Sequence, residues 1–124
     1  MPDWLLSCKL AALVFLGGGA GAVFRFALGR WFAVPTGFPW VTFAINVLGS
    51  FVLGLLVVLC KDRPGWLALL GVGVCGGFTT FSTFSVETLH LIETEDYASA
   101  MGYVVGSVAA GVLGAWLGVQ WAKA

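Results

Sequence analysis

The sequence predicts an all-α integral membrane protein with four transmembrane helices per subunit, the third of which is broken. Of the 124 residues, 60% are hydrophobic and only 10% are charged, whereas a soluble domain carries roughly a quarter charged residues. Uncharged runs of about 20 residues, the length that crosses a bilayer, recur along the chain. One of these runs contains a stretch that disfavours a helix. We therefore expect a single membrane domain over 1–124, with spans at about 4–29, 40–60, 64–92 and 97–121.

The first span has an apolar core from Leu10 to Phe24 and ends at Arg25 and Arg30. Gly17 and Gly21 form a G-x-x-x-G pair, which flattens one face of a helix for close contact with another. Arg25 follows the apolar core directly. It either extends its charge toward the interface or faces inward, and the residue pattern alone favours the first interpretation.

The second span, from Trp40 to Cys60, carries Thr42, Asn46 and Ser50. These polar residues are four apart and therefore lie on one stripe of a helix. Asn46 is the strongest of the three, because its carboxamide brings two hydrogen-bond donors into hydrocarbon. The alternative is a hydrogen bond between helices that contributes about 1 kcal/mol or less. The stripe favours a polar track or a buried interface over an isolated polar residue.

The third span follows the short loop Lys61 to Gly65, which makes spans two and three antiparallel neighbours. Within it, Gly76 to Ser85 reads GGFTTFSTFS, and adjacent glycines followed by hydroxyl residues are poor in a helix interior. Irregular backbone at membrane depth is tolerated only where it is buried in protein or lines a wet cavity, and broken membrane helices commonly hold ion or substrate sites. The alternative is a kinked structural helix whose hydroxyls bond to its own carbonyls. A helix is expected to resume over Val86 to Ile92.

The break offers groups suited to an ion of either sign. Neutral hydroxyl and amide donors can replace part of the water shell of a small anion without binding it too tightly to leave. Aromatic rings have positive edges that can face an anion, although the three-residue spacing of Phe78, Phe81 and Phe84 by itself favours packing or lipid contact. Carbonyls freed near Gly76 to Thr80 can instead coordinate a cation such as sodium. The candidate neutral donors are Asn46, Thr79, Thr80, Ser82 and Thr83.

The end of the third span and the fourth span add further polar residues. Glu87 follows the break and is a candidate for lining an aqueous entrance, whereas His90, near the interface, is interpreted as solvated. The fourth span, Tyr97 to Trp121, carries Tyr103 and Ser107 four residues apart, which form a second polar stripe. Four spans leave both termini on the same side of the membrane.

Composition and motifs also bear on the function classes. Net charge is zero, so nothing suggests a nucleic-acid partner. A single histidine provides no nucleophile–base pair or metal cluster, which argues against an enzyme. A small dual-topology multidrug or cation exporter is the alternative to an ion channel, but such an antiporter needs a membrane-embedded acidic residue, and spans one, two and four contain none. A scaffold without transport activity would leave the break unexplained.

Three motifs resemble those of the small fluoride channels of bacteria, the CrcB or Fluc family. The segment GGFTTFSTFSVET, from Gly76 to Thr88, is similar to the family's signature in the third span. GAVFRF, from Gly21 to Phe26, and NVLGSF, from Asn46 to Phe51, are similar to its motifs in the first two spans. Gly102-Tyr103 and Ser107 resemble its fourth helix. The resemblance covers essentially the whole chain and keeps the order of the motifs.

The resemblance implies an antiparallel, dual-topology homodimer of four-helix subunits with two fluoride pores. It implies a structural sodium ion at the dimer centre, held by the backbone carbonyls of Gly76 and Thr79. It associates Arg25 with an aqueous vestibule and Glu87 with the end of the pore. Gly111 departs from the pattern, because a hydroxyl is expected there in some members. The implied pore residues are Asn46, Phe81, Phe84, Ser82, Thr83, Tyr103 and Ser107.

The function implied is passive export of cytoplasmic fluoride, and hence fluoride resistance, by a multi-pass protein of the bacterial inner (plasma) membrane. Hydrogen fluoride is a neutral weak acid that crosses lipid and ionises inside the cell. An inside-negative potential drives the trapped anion outward with about 2.3 kcal/mol per charge per 100 mV, so that no ATP site is needed. The distribution of Lys and Arg gives only a modest bias toward cytoplasmic termini.

Overall fold

The computed structural model describes residues 1–35 and 37–124, and the regular structure in these residues is helical. Four helical spans are long and apolar enough to cross a membrane, which confirms the predicted number. The third span comprises α3 and α4, separated by Thr79 and Thr80. The helices are α1 (Asp3–Trp31), α2 (Trp40–Leu59), α3 (64–78), α4 (Phe81–Glu93) and α5 (Tyr97–Lys123).

Most of α3 is a π-helix, which the sequence did not predict. Residues Leu67–Cys75 have this form, between short α-helical turns at Pro64–Trp66 and Gly76–Phe78. The wider hydrogen-bond register continues to Gly76, whose N–H donates to the carbonyl of Gly71. π-helices are rare and are found frequently at functional sites. Here only the short α-helical turn Gly76–Phe78 separates the π-helix from the break.

The helices form two closely packed pairs. The first pair is α1 with α3, where a methyl group on Gly17 would overlap the carbonyl oxygen of Leu69 and one on Gly21 would overlap that of Val74. This contact confirms the predicted role of the G-x-x-x-G pair as a surface for close approach. The second pair is α2 with α5, where Gly54 lies against the backbone of Ala115.

Short loops fix the direction of each span. Successive spans run in opposite directions. The first and third loops therefore lie at one end of the molecule, and the second loop and both termini lie at the other. α2 and α5 therefore run in the same direction. The loop between α4 and α5 contains Glu95 in a left-handed conformation, with φ of 61°.

The outer surface of the molecule is largely apolar, as a bilayer requires. Large side chains such as Phe15, Val72 and Val86 are exposed on the spans. The buried core around Leu91, Ala100 and Tyr103 is small and lies between α4 and α5. The chain is thus a multi-pass membrane protein whose exposed side chains face lipid or another protein.

Candidate functional site

The break in the third span consists of two extended residues. Thr79 has φ and ψ of −76° and 155°, and Thr80 has −150° and 119°. The Thr79 N–H still donates to the carbonyl of Cys75, and its hydroxyl donates to the same oxygen. The α-helix then resumes at Phe81 and runs to Glu93, so the predicted helix over Val86 to Ile92 is confirmed, but it begins five residues earlier than expected. The early restart follows from capping by Thr80.

Asn46 of α2 binds the break at its centre. The side-chain Oδ1 accepts a hydrogen bond from the Thr80 N–H at 2.8 Å, and Nδ2 donates to the Thr80 carbonyl oxygen at 3.0 Å. Both backbone polar groups of Thr80 are therefore satisfied by a single side chain. An amide inside a membrane protein supplies what water would supply outside it. One Nδ2 hydrogen of Asn46 remains for another acceptor.

The Thr80 side chain caps the N-terminus of α4. Its Oγ1 accepts a hydrogen bond from the Thr83 N–H at 3.1 Å, as N-cap threonines do. The hydroxyl of Thr83 lies 3.1 Å from the same oxygen, and that of Ser82 lies 3.3 Å from it. Two predicted pore hydroxyls are thereby brought together beside the break. The hydroxyls of Ser85 and Thr88 instead donate to carbonyls one turn earlier in the same helix. For these two residues the structure matches the alternative in which hydroxyls bond to carbonyls of their own helix.

Glu87 is held between α2 and α5. Its Oε1 accepts a hydrogen bond from the Thr42 hydroxyl at 2.8 Å, and its Oε2 accepts one from the Tyr103 hydroxyl at 2.6 Å. Tyr103 has 0% exposure. Charge-assisted hydrogen bonds of this kind are stronger than those between neutral groups. The two polar stripes predicted on spans two and four therefore meet at one carboxylate.

Phe81 and Phe84 lie side by side, with ring centroids 5.7 Å apart. Phe84 also packs on Tyr103, at 4.9 Å between ring centroids, whereas Phe81 is 79% exposed in the single chain. Phe78 does not join them, because the break separates it from Phe81. It is buried and stacks on Phe24, so the alignment of three phenylalanines considered for an unbroken helix is not observed.

Arg25 faces inward and binds the third span. Its Nε donates a hydrogen bond to the carbonyl oxygen of Gly77 at 3.2 Å. A cation near the C-terminus of α3 also complements the negative end of the helix dipole. The interfacial orientation favoured from the residue pattern was therefore wrong, and the inward-facing alternative is observed.

A cavity of about 800 Å³ opens from the end of the molecule that holds the first and third loops. It reaches inward as far as the break at Thr80 and carries charges of both signs. His90, interpreted as solvated, lies on its wall and is exposed. The polar and charged residues on its walls include Arg25, Arg30, Thr42, Thr80, Thr83, Glu87, His90 and Asp96.

Two further predicted residues lie deeper in the molecule. The Ser107 hydroxyl is buried and has no hydrogen-bond partner among the described residues. Gly111, one turn later, has space beside it, because among the described atoms of other helices an added methyl group would meet only the Ser50 hydroxyl, at 3.7 Å. Buried hydroxyls without a protein partner are uncommon and call for a solvent or ligand partner.

The carbonyls predicted to hold sodium have lost their usual donors. In a continuous helix, Thr80 and Thr83 would donate their N–H groups to the carbonyls of Gly76 and Thr79. These N–H groups donate instead to Asn46 and to the Thr80 hydroxyl. Gly76 is exposed, and apart from its chain neighbours and its own helix backbone no described atom lies within 4 Å of where a side chain would begin.

The sequence reasoning missed the structural roles of Thr42 and Thr80. Thr42 was recognised as polar and on the stripe, but its partner Glu87 is 45 residues away. Thr80 was counted among possible ion donors, yet its side chain serves as a helix cap. The signal for a cap was available, since a threonine preceding a resumed helix is a common N-cap.

The broken third span, the cavity with polar and charged wall residues that reaches it and the four apolar spans are those of a multi-pass membrane protein. Broken membrane helices commonly hold ion or substrate sites. The model of the family described as CrcB-like protein, Camphor Resistance (CrcB), matches residues 12–119. The chain belongs to this family.

Three curated relatives all carry the name fluoride-specific ion channel FluC. The relative from Oceanobacillus iheyensis is 49% identical over 112 residues, which cover 87% of this chain and 87% of the relative. The relative from Novosphingobium aromaticivorans is 48% identical over 123 residues, covering 88% and 92%. The relative from Phocaeicola vulgatus is 43% identical over 116 residues, covering 90% and 96%. Similarity over nearly the full length confirms the family resemblance of the motifs.

Proposed function

We propose that this protein is a fluoride-selective passive ion channel that exports cytoplasmic fluoride and so gives fluoride resistance. The observation that carries this proposal is the break at Thr79 and Thr80, which Asn46 stabilises and which is reached by a cavity with polar and charged residues on its walls. The names of relatives 41–49% identical to this chain point to the same ion. Those names favour a fluoride channel over a multidrug or cation exporter and over an enzyme.

The proposed path for fluoride begins in the cavity. Arg25 and Arg30 on its wall attract anions from solution. At the inner end, neutral donors replace part of the water shell: the second Nδ2 hydrogen of Asn46 and the hydroxyls of Ser82 and Thr83. Neutral donors bind a small anion without trapping it, which conduction requires.

Aromatic edges are the second proposed source of selectivity. Phe81 and Phe84 lie side by side next to the break, and a ring edge carries partial positive charge. Tyr103, at the level of Glu87, and the buried hydroxyl of Ser107 are further polar groups of the proposed path. The fixed carboxylate of Glu87, held by Tyr103 and Thr42, marks one end of the pore.

We propose that two copies of the chain assemble as an antiparallel homodimer. The third span supports this, because Val72, Gly76 and Phe81 are exposed on its surface. A second copy would cover these residues and bring its own phenylalanines to the path. A dimer mass in detergent and labelling of a C-terminal tag from both faces of the membrane are expected. A monomer, or a tag reached from one face only, would contradict this assembly.

A structural sodium ion at the centre of that dimer is a further part of the proposal. The carbonyls of Gly76 and Thr79 fit this role, because the donors that would bond them in a continuous helix are used elsewhere. Carbonyl oxygens at helix breaks are suitable sodium ligands. Replacing sodium by a large organic cation should lower the temperature at which the dimer dissociates. An unchanged dissociation temperature would argue against the ion.

The proposed location is the bacterial inner membrane, where the membrane potential provides the driving force. The test is efflux from liposomes that contain purified protein and either potassium fluoride or potassium chloride, with valinomycin to balance charge. We expect rapid fluoride efflux without a proton gradient and little chloride efflux. Equal rates for the two anions, or a requirement for a proton gradient, would overturn the proposed function.

A further inference from the structure

We propose that the hydroxyl of Ser50 is an additional ion-contacting group of the pore, supplied by α2 at the level where α5 has only Gly111. This inference rests on the proposed function and adds a specific residue to the path. Ser50 donates a hydrogen bond to the carbonyl oxygen of Asn46 at 2.7 Å and is half-buried. By itself that bond is common for a serine in a helix, so the inference depends on what lies opposite.

The polar stripes of α2 and α5 face one another along their length. At one end, Thr42 and Tyr103 donate to the two oxygens of the same carboxylate. Two turns further, a methyl group on Gly111 would lie 3.7 Å from the Ser50 hydroxyl. The helices run in the same direction, and the two pairs have the same separation along the chain.

Thr42 and Ser50 on α2 are eight residues apart, as are Tyr103 and Gly111 on α5, so the residues midway along the two stripes also lie at matching heights. With equal rise per residue, Asn46 and Ser107 occupy the level between the two outer pairs. The path therefore has three levels, each about 6 Å from the next along α2. The first level has the Thr42 and Tyr103 hydroxyls, the second has the Asn46 amide and the Ser107 hydroxyl, and the third has Ser50 alone.

The third level is open because residue 111 is a glycine. Outside the backbone of α5 itself and the two chain neighbours of Gly111, the Ser50 hydroxyl is the one described atom within 4 Å of the position where a side chain at 111 would begin. The Ser50 hydroxyl can rotate away from the Asn46 carbonyl and donate into this space, since hydroxyl hydrogens turn to suit their partner. At the second level, the Ser107 hydroxyl is buried without a partner among the described residues. An ion that leaves Ser107 would meet Ser50 as its next donor.

The test transfers the hydroxyl from one helix to the other. Fluoride efflux from liposomes is measured for the wild type, Ser50→Ala, Ser50→Ala/Gly111→Ser and Ser50→Ala/Gly111→Ala. Ser50→Ala should slow efflux about tenfold, the loss expected for one hydrogen bond to a charged ion. Gly111→Ser should restore most of the rate, because its hydroxyl would stand across the same space. Gly111→Ala should not, because it adds volume without a donor.

Ser85→Ala, on α4, is the matched control for the loss of a helical serine hydroxyl. It removes a serine that bonds one turn back, to the carbonyl of Phe81, and should leave efflux unchanged. Unchanged efflux in Ser50→Ala, or equal efflux in the two double variants, would overturn the role of Ser50 while the channel function stands. No fluoride efflux from the wild type would overturn the proposed function itself, and this inference with it. Size-exclusion chromatography of each variant establishes that it is folded and assembled.

Discussion

Asn46 forms hydrogen bonds with both backbone polar groups of Thr80, accepting from the N–H at 2.8 Å and donating to the carbonyl oxygen at 3.0 Å. The residue proposed to contact the permeating ion is thus also the residue that holds the helix break open. A buried backbone group without such a partner would be costly in hydrocarbon. The two roles use different atoms, because only one Nδ2 hydrogen is needed for Thr80.

Asn46→Asp nearly keeps the shape of the side chain but gives it a negative charge. Aspartate keeps an oxygen for the Thr80 N–H, but it puts a second oxygen against the Thr80 carbonyl and a negative charge on the path. We expect fluoride efflux to fall at least tenfold, because like charges repel and the ion loses a donor. The measurement is efflux from liposomes at neutral pH, with dimer formation checked by size-exclusion chromatography. Normal efflux from an assembled Asn46→Asp dimer would leave Asn46 with only its structural role.

The roles of Phe81 and Phe84 can be tested by replacing each with isoleucine, which keeps apolar bulk and removes the positive ring edge. If ring edges stabilise fluoride, both variants should lose most of their efflux. Their stabilities should differ. Phe84→Ile loses the ring contact with Tyr103, at 4.9 Å, and should be destabilised by about 0.5–1.5 kcal/mol, whereas Phe81 is 79% exposed in the single chain. Unimpaired efflux in both variants would leave the phenylalanines as packing residues.

The hydrogen bond from Tyr103 to Glu87 has a predicted effect on stability. Tyr103→Phe keeps the ring packed and removes the hydroxyl, which leaves one carboxylate oxygen without its 2.6 Å partner. We expect the free energy of unfolding in detergent to fall by about 1.5–3 kcal/mol, as for other hydrogen bonds to charged groups. A stability equal to that of the wild type would mean that water replaces the tyrosine hydroxyl at no cost.

Close packing of α1 on α3 can be tested with two neighbouring glycines. A methyl group on Gly21 would overlap the carbonyl oxygen of Val74, whereas one on Gly19 would have no described atom of another helix within 4 Å. Gly21→Ala should destabilise the protein by about 1–3 kcal/mol through overpacking. Gly19→Ala should be neutral or stabilising, since alanine is the better helix former. Equal thermal stability of the two variants would contradict the packing seen here.

The helical spans and the break were predictable because their causes are local. Runs of apolar residues set the spans, and the adjacent glycines followed by hydroxyls at Gly76 to Ser85 indicated where the third span would break. The residue at which the helix resumes after the break was harder to predict from the sequence. It depends on Thr80, whose side chain caps α4 while its backbone is paired by a residue 34 positions away.

The arrangement of the polar residues was only partly predictable. The stripes on α2 and α5 followed from spacing alone, but their meeting at Glu87 depends on the packing of three helices. Arg25 was misread because an arginine at the end of an apolar run looks the same in sequence whether it faces water or a carbonyl. The π-helix in α3 left no sign that we recognised, since its residues are as apolar as those of an ordinary membrane helix.

The central claim is that this protein conducts fluoride passively and in strong preference to chloride. The most direct measurement is the reversal potential in a planar bilayer with fluoride on one side and chloride on the other. A current that reverses far from zero, in the direction set by fluoride and independent of a pH difference, is the predicted result. Reversal near zero would mean that the two anions permeate equally, and a reversal potential that follows the proton gradient would mean coupled exchange. Either of these results would contradict the account.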